Sequence, residues 1–357
     1  MSSIAILLVF VTFLICVVNF VTIRRPENDD VINESVTVIV PMRNEAENVA
    51  DCIASLREQI GIERLRFIIV NDSSTDSTLE LLKRSTSGDS RFHIIDSPEL
   101  RSGWLGKVSA LQAGYEAADS EILVNIDADV RLKPRALVRA VNQLKDLSLD
   151  YVSPYPKQVA GTFGEKLVQP LLHWSWMSTV VLRLVERFPI RSTAIANGQF
   201  FVVRKEALDI VDGFTSVSQK ILDDIEIART LVGHGFRGVV TEGSAIAQTR
   251  MYSSLSELRN GYSKSLWKAF GGPIGSLIAI AIIFAIGIYP LILALNGYVV
   301  GIVTYLLSVF TRELSALRSR SNPLYAFLHP LSSALVIYLI IYSWSKRGKV
   351  RWKGRTV

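Results

Sequence analysis

Asp127 and Asp129 flank one small residue, Ala128, at the end of the apolar run Ile122 to Ile126. Two carboxylates so spaced at a strand end can reach one hard divalent cation, Mg2+ or Mn2+, which takes oxygen ligands and keeps positions open for substrate phosphates. Alone the pair is a weak signal, because a chain with 33 acidic residues holds such a pair by chance. Its meaning depends on its company.

Asn71-Asp72-Ser73-Ser74, followed by Thr75-Asp76, is turn chemistry that exposes backbone N–H groups and two carboxylates. Asp72 can accept hydrogen bonds from a base or ribose, and Asp76 reads equally well as a helix N-cap. Glu45, just past an earlier apolar run, is either a first-turn acid or a nucleotide contact. Gly103-Trp104-Leu105-Gly106-Lys107 is a glycine-bracketed loop through which backbone and one ammonium can approach a diphosphate. Arg101 and Val108 stand where a Walker motif needs glycine and a hydroxyl, so it is not a P-loop. Asp223-Asp224-Ile225-Glu226 opens a helix, with Asp223 as N-cap and Glu226 completing a capping box. Asp224 is then left without a structural task and available as a base for an acceptor hydroxyl.

Strands and helices must position these groups. Ser35–Val40 is a β-branched run expected to stop at Pro41, with a helix over Glu45–Glu58. Phe67–Val70, Phe92–Ile95 and Glu121–Ile126 give three more strands, and Thr78–Arg84 a further helix. The alternation predicts a mostly parallel sheet covered on both faces, whose ligands bind beyond the carboxyl ends of the strands. Lys166–Phe188 is apolar with Trp174 and Trp176, which suits either a membrane-interface helix or a buried core helix.

The chain is 49% hydrophobic yet 20% charged, which divides it between membrane and water. Ile4–Ile23 is long enough for one span and lacks a cleavage signal, so it reads as an uncleaved anchor. Arg24-Arg25 places its far end, and the domain that follows, in the cytoplasm. Pro273–Leu295 and Tyr298–Phe310 form a helical hairpin around Asn296-Gly297, Arg312–Asn322 is a basic loop, and Leu324–Trp344 is a further span. Three C-terminal spans would leave the basic tail outside, against the positive-inside tendency, so the number of crossings stays open. The expected segments are a 1–24 anchor, a 33–245 cytoplasmic domain with its 166–188 helix, a 246–272 connector, 273–345 helices and a 346–357 basic tail. The two cysteines, Cys16 and Cys52, fit a reducing compartment, and the net charge of +6 sits at membrane borders as lipid head-group contacts, not as a nucleic-acid surface.

Taken in order, Pro41-Met42-Arg43-Asn44-Glu45, Asn71-Asp72, Gly103 to Lys107, Asp127-Ala128-Asp129, Asn197-Gly198-Gln199-Phe200 and Asp223-Asp224 resemble the family-2 glycosyltransferases of GT-A fold. Arg250-Met251-Tyr252, Gly261 to Lys264 and Trp352 to Arg355 narrow the resemblance to bacterial membrane enzymes acting on lipids, the carotenoid and hopanoid-associated glycosyltransferases, with ceramide glucosyltransferase more distant. The resemblance implies a Rossmann-like α/β domain with one N-terminal and about three C-terminal transmembrane helices, in a multi-pass membrane protein. It implies that Glu45 and Asp72 hold uridine, Lys107 approaches the diphosphate, Asp127 meets ribose or metal, and Asp129 ligates Mg2+ or Mn2+. Asp224 matches the catalytic base, and Asn197, Gly198, Gln199, Phe200 and Arg250 match the sugar and acceptor side. The expected partners are a nucleotide sugar, a membrane lipid acceptor and the bilayer, with no nucleic acid and no obligate protein partner.

Two departures matter. Asn71 stands where many members carry a first aspartate, and Gln248-Thr249-Arg250-Met251-Tyr252 lacks the Trp of processive synthases. The readings left open are transfer to polyprenyl phosphate, polysaccharide synthesis, and an inactive nucleotide-binding scaffold.

Overall fold

The computed structural model describes residues 2–347, 351–352 and 355–356. It divides into two compact units, one of residues 24–157 and 184–249, the other of 1–23, 158–183 and 250–357.

The first unit is built on a seven-stranded sheet of order β3-β2-β1-β4-β8-β6-β9. Its strands are β1 (Val36–Met42), β2 (Leu65–Asn71), β3 (Phe92–Asp96), β4 (Ile122–Ile126), β6 (Tyr151–Tyr155), β8 (Phe200–Arg204) and β9 (Gly238–Glu242). Between them fall β5 (Val130–Leu132), which pairs antiparallel with β10 (Ala247–Thr249), and β7 (Lys157–Gln158). β3, β2, β1 and β4 run parallel, as do β6 and β9, whereas β8 is antiparallel to both β4 and β6. Strand residues alternate between two faces, and each face carries its own core. Val38, Val40, Phe67, Ile69 and Val124 pack on one side, and Ile39, Ile68, Val70, Leu123 and Phe201 on the other.

Helices α2 (Ala46–Arg57), α3 (Thr78–Thr86), α4 (Gly106–Glu116), α5 (Ala136–Asp146), α8 (Lys205–Ile210) and α9 (Asp223–Gly233) belong to this unit. Two expectations need correction. β1 does not stop at Pro41 but runs to Met42, because its pairing with β4 ends at Ile39 and Pro41 therefore has β2 as its one ladder neighbour. The capping box at Asp223 is also absent: the N-cap is Leu222, and Glu226 Oε1 accepts from Arg229 Nη1 at 2.7 Å instead.

The second unit contains α1 (Ser2–Thr22), α6 (Phe163–Thr179), α10 (Leu255–Ser263), α11 (Leu266–Ala269), α12 (Pro273–Gly287), α13 (Tyr289–Leu295), α14 (Val299–Arg318) and α15 (His329–Ser345), with α7 (Leu182–Arg187) lying across the boundary. Among the described residues, four helical segments are long and apolar enough to cross a membrane: Ser3–Thr22, Pro273–Leu295, Val299–Arg318 and Pro323–Ser345. Asn19 Nδ2 ties α1 to α6 by donating to the carbonyls of Met177 and Val180, at 2.9 and 2.6 Å, which satisfies acceptors that a helix end leaves open.

The 166–188 segment is interrupted at Val180, whose backbone is extended, and Trp174 and Trp176 are buried, which favours the core-helix reading over the interface one. The segment containing α6 falls in this second unit. Pro273–Leu295 bends at Ile288, before Pro290, which cannot donate to the helical ladder. The basic loop expected from Arg312 is instead helix as far as Arg318. Thr311, Arg312, Leu314 and Ser315 are buried among neighbouring helices, so packing overrides their polarity. Half of the expected 346–357 tail lies outside the described residues. Within it, Arg351–Trp352 pairs antiparallel with Arg355–Thr356.

Candidate functional site

Parallel strands in the order β2-β1-β4 place Asp72, Glu45 and Asp127 along one edge of the sheet, each just beyond the end of its strand. The antiparallel β8 enters at the same edge. Phe200 is paired with Ile126, and the N–H of Asp127 donates to the carbonyl of Gln199 at 3.3 Å. The turn Asn197-Gly198-Gln199 therefore lies beside the acidic pair.

The turn after β2 is braced by hydrogen bonds. Arg43 Nη1 donates to the carbonyls of Asp72 and Ser73 at 2.6 and 3.0 Å, and Asn71 Nδ2 donates to Asp96 Oδ1 at 2.7 Å. Asn71 thus faces a carboxylate, and its amide is suited to donate there. Glu45 is the N-cap of α2, with its Oε2 accepting from Asn48 Nδ2 at 2.8 Å. Asp76 accepts from the N–H groups of Thr78 and Ala46, at 3.0 and 3.3 Å, and so joins the starts of α3 and α2. Its role is structural.

The glycine loop feeds directly into α4. Gly103 has φ +81°, a left-handed conformation that glycine adopts without strain, and the chain then enters the helix at Gly106. Lys107 lies in the first turn, with its ammonium 2.7 Å from Asp127 Oδ1. Partial burial disfavours that charge, yet the carboxylates of Asp127, Asp223 and Asp224 outweigh the burial and hold Lys107 above its ordinary value.

Asp224 opens α9. Its Oδ2 accepts from the N–H of Gly198 and its Oδ1 from the N–H of Ile225, both at 2.8 Å. A Cβ built on Gly198 would lie 3.5 Å from both Asp224 Oδ2 and Lys107 Nζ, so Asp127, Lys107, Gly198 and Asp224 form one contiguous row. Asp223 joins it: burial first, then the charges of Asp224 and Asp127, push its carboxyl up to about 6 against the pull of Lys107. Sequence reasoning assigned Asp223 only a cap. Its participation depends on where α9 starts, which the spacing of residues does not reveal.

Asp129 is pushed to about 6, first by burial and then by the charge on Asp127. A buried carboxylate whose ionisation a neighbouring carboxylate opposes is suited to a cation shared with that neighbour. Among the described residues no three carboxylate, imidazole or thiol side chains gather as a metal cage, so Asp127 and Asp129 could supply only part of a divalent cation's ligands.

Two further expected residues have other surroundings. Phe200 is fully buried in the core beneath the sheet. Arg250 belongs to the second unit, where its guanidinium is 3.6 Å from Glu165. Sequence reasoning also missed Arg131. It donates to the carbonyls of Ala128 and Val130, at 2.8 and 3.1 Å, and to Asn48 Oδ1 at 2.8 Å, which fixes the backbone between the two aspartates.

Residues 37–211 match the model of Glycosyl transferase family 2. The 4,4'-diaponeurosporenoate glycosyltransferase of Staphylococcus aureus (strain bovine RF122 / ET3-1) is 24% identical over 342 residues, covering 90% of this chain and 88% of that protein. The undecaprenyl-phosphate 4-deoxy-4-formamido-L-arabinose transferase of Pectobacterium carotovorum subsp. carotovorum (strain PC1) is 34% identical over 117 residues, 32% of this chain and 34% of its own length. Among solved structures, the mannosyltransferase PcManGT from Pyrobaculum calidifontis, in complex with GDP-Man and Mn2+, has a TM-score of 0.58 at 20% identity, covering 97% of this chain and 98% of that one, a likeness of fold. Residues 37–211 thus constitute a family 2 glycosyltransferase domain of GT-A fold, and the chain is a glycosyltransferase.

Proposed function

We propose that this enzyme transfers a sugar from a nucleotide diphosphate sugar, UDP-linked, to a membrane lipid, with inversion at the anomeric carbon. The observation that carries this reading is the row of Asp127, Lys107, Gly198 and Asp224, which sets a fixed carboxylate on one side of an ammonium and a carboxylate pair on the other.

The donor's base and ribose lie against Glu45 and Asp72, and its diphosphate near Lys107 and the start of α4, where helix N–H groups and the ammonium favour negative charge. Each Asp224 oxygen already accepts one backbone N–H, which orients the carboxylate and leaves lone pairs for an incoming proton. Asp224 takes that proton from the acceptor oxygen as the new C–O bond forms and the bond to the nucleoside diphosphate breaks. Asp127 and Asp129 would hold a divalent cation, Mg2+ or Mn2+, whose charge, when bound, offsets the charge developing on the diphosphate.

A lipid acceptor is supported by the four apolar helices and by relatives named for diaponeurosporenoate and undecaprenyl phosphate. The Arg24-Arg25 pair after α1 supports a catalytic domain on the cytoplasmic side of a multi-pass protein. The match to the undecaprenyl-phosphate enzyme also favours a second reading, transfer to a polyprenyl phosphate.

Membranes containing the chain are incubated with a panel of labelled nucleotide sugars and Mn2+, and lipids are extracted. Label in the lipid phase is expected, and label confined to the aqueous phase overturns the lipid acceptor. A glycolipid that releases its sugar under mild acid indicates the polyprenyl-phosphate product. Asp224→Asn is expected to abolish transfer while nucleotide binding persists; retained turnover removes Asp224 from its role.

A further inference from the structure

Ser153 lies on β6 and is fully buried. The ladder between β6 and β8 joins Tyr151 to Val203 and Val152 to Val202, and Pro154 has no N–H with which to carry it further. Beyond that point the Ser153 hydroxyl holds β6 to the chain that leads into β8. Its Oγ accepts from the N–H of Asn197 at 2.8 Å and shares its one hydrogen between the carbonyls of Asn197 and Phe200, at 3.1 and 3.3 Å.

Asn197 in turn closes the turn from within. Its Oδ1 accepts from the N–H of Gln199 at 2.9 Å, and its Nδ2 donates to Gln199 Oε1 at 3.0 Å. The Gln199 carbonyl accepts from the N–H of Asp127 at 3.3 Å. Gly198 is thus anchored on both sides, by Ser153 through Asn197 and by Asp127 through Gln199. Glycine has the freest backbone of any residue, so these anchors set the direction of its N–H, which reaches Asp224 Oδ2 at 2.8 Å. Removing the hydroxyl would leave the Asn197 N–H without its acceptor and release one anchor. Asp224 would keep the bond from the N–H of Ile225 to its Oδ1, and so would lose one of two constraints on its carboxylate.

We infer that Ser153 is a positioning residue for the transfer reaction, fixing the Asn197 peptide and, through it, the N–H of Gly198 that orients Asp224. The inference rests on the reading of Asp224 as the base. Ser153 is buried and does not meet substrate, so its effect falls on turnover and not on donor binding.

The test compares Ser153→Ala and Ser153→Thr, which restores the hydroxyl, with Thr37→Val. Thr37 Oγ1 and Ser120 Oγ form another buried hydroxyl pair, at 2.5 Å, near the start of β1 and so at the end of the strand away from the site. Hydrogen exchange followed by mass spectrometry on the full chain in detergent, with no donor added, should show the peptide holding Asn197 and Gly198 exchanging about tenfold faster in Ser153→Ala, and at the parent rate in Thr37→Val. With the labelled nucleotide sugar that the membranes transfer, kcat should fall about tenfold in Ser153→Ala, with the donor KM changed by less than about twofold. Ser153→Thr should recover turnover, and Thr37→Val should melt lower with kcat unchanged. If the added methyl group keeps Ser153→Thr from folding, the comparison of Ser153→Ala with Thr37→Val decides. Unchanged exchange in Ser153→Ala, unchanged kcat, or a KM effect larger than the kcat effect overturns the inference. Asp224→Asn, assayed alongside, separates the two claims. If it is inactive while Ser153→Ala turns over normally, the Ser153 role alone falls; if it retains turnover, the base falls and the Ser153 role with it.

Discussion

The backbone N–H of Gly198 donates to Asp224 Oδ2 at 2.8 Å, a bond that closes 26 residues of chain and places the start of α9 against the turn before β8. A methyl group on Gly198 would come within 3.2 Å of Asp224 Cβ, so Asp224 must give way by a few tenths of an ångström, while Lys107 Nζ at 3.5 Å is met at ordinary contact distance. Gly198→Ala is therefore expected to fold normally and to lose roughly ten- to a hundredfold in kcat, as small displacements of catalytic groups do. The KM for the donor should change much less. Steady-state kinetics on a folded variant check this, and a KM effect larger than the kcat effect contradicts it.

Lys107 carries the opposite expectation. Its ammonium sits 2.7 Å from Asp127 Oδ1 and is the positive charge that the Asp127, Asp223 and Asp224 carboxylates share. Lys107→Met leaves those carboxylates facing the donor's diphosphate unscreened, so the donor should bind at least about tenfold more weakly. Titration of the nucleotide by calorimetry reads this directly, without turnover. Unchanged nucleotide affinity would place Lys107 outside the donor site.

The first half of the sheet was legible because β1, β2 and β4 are short, apolar runs that end in polar turns, and a buried parallel strand looks like little else. This is why Glu45, Asp72 and Asp127 were found, and why they share an edge. β8 was not legible. Phe200–Arg204 follows a turn of Asn and Gly, and nothing local says that it inserts antiparallel between β4 and β6. Arg312 was misread because polarity in a short window argues for a loop, while the helices packed around it decide otherwise. Asp224 was identified by elimination, on the premise that Asp223 was a cap. The premise failed, yet the residue stands in the row, because helix α9 begins one residue away from where the spacing suggested.

Asp223 makes stability depend on pH. Its carboxyl is raised from 3.8 to about 6 in the folded state, first by burial, with the charges of Asp224 and Asp127 adding to it and Lys107 opposing. Between these values the folded chain binds more protons than the unfolded one, so this group's contribution to stability declines as pH rises through about 6. Asp223→Asn stays neutral at every pH. It should melt higher than the parent above pH 6, and the gain should shrink as pH falls toward the ordinary carboxylate value of 3.8. Melting curves of the nucleotide-free protein across that range check the sign, and a gain that grows on acidification refutes it.

Gly114 links the core to the site. It lies on α4, the helix that carries Lys107, and a Cβ there would overlap Ile39 Cγ2 of β1 and approach Val70 Cγ2 of β2 to 3.3 Å. Ile39 and Val70 are fully buried, so the strain is relieved chiefly by moving α4 outward from the sheet. Gly114→Ala should cost about 1–3 kcal/mol of stability, the usual penalty of overpacking, despite the better helix propensity of alanine. The same outward movement draws Lys107 from Asp127, so the variant should also bind nucleotide more weakly than its melting point alone explains. Comparing Gly114→Ala with a core variant remote from α4, Val138→Ala, separates the two effects: both should melt lower, and Gly114→Ala alone should lose donor affinity. Equal donor affinities in the two variants would mean that the sheet, and not α4, yields to the added methyl group.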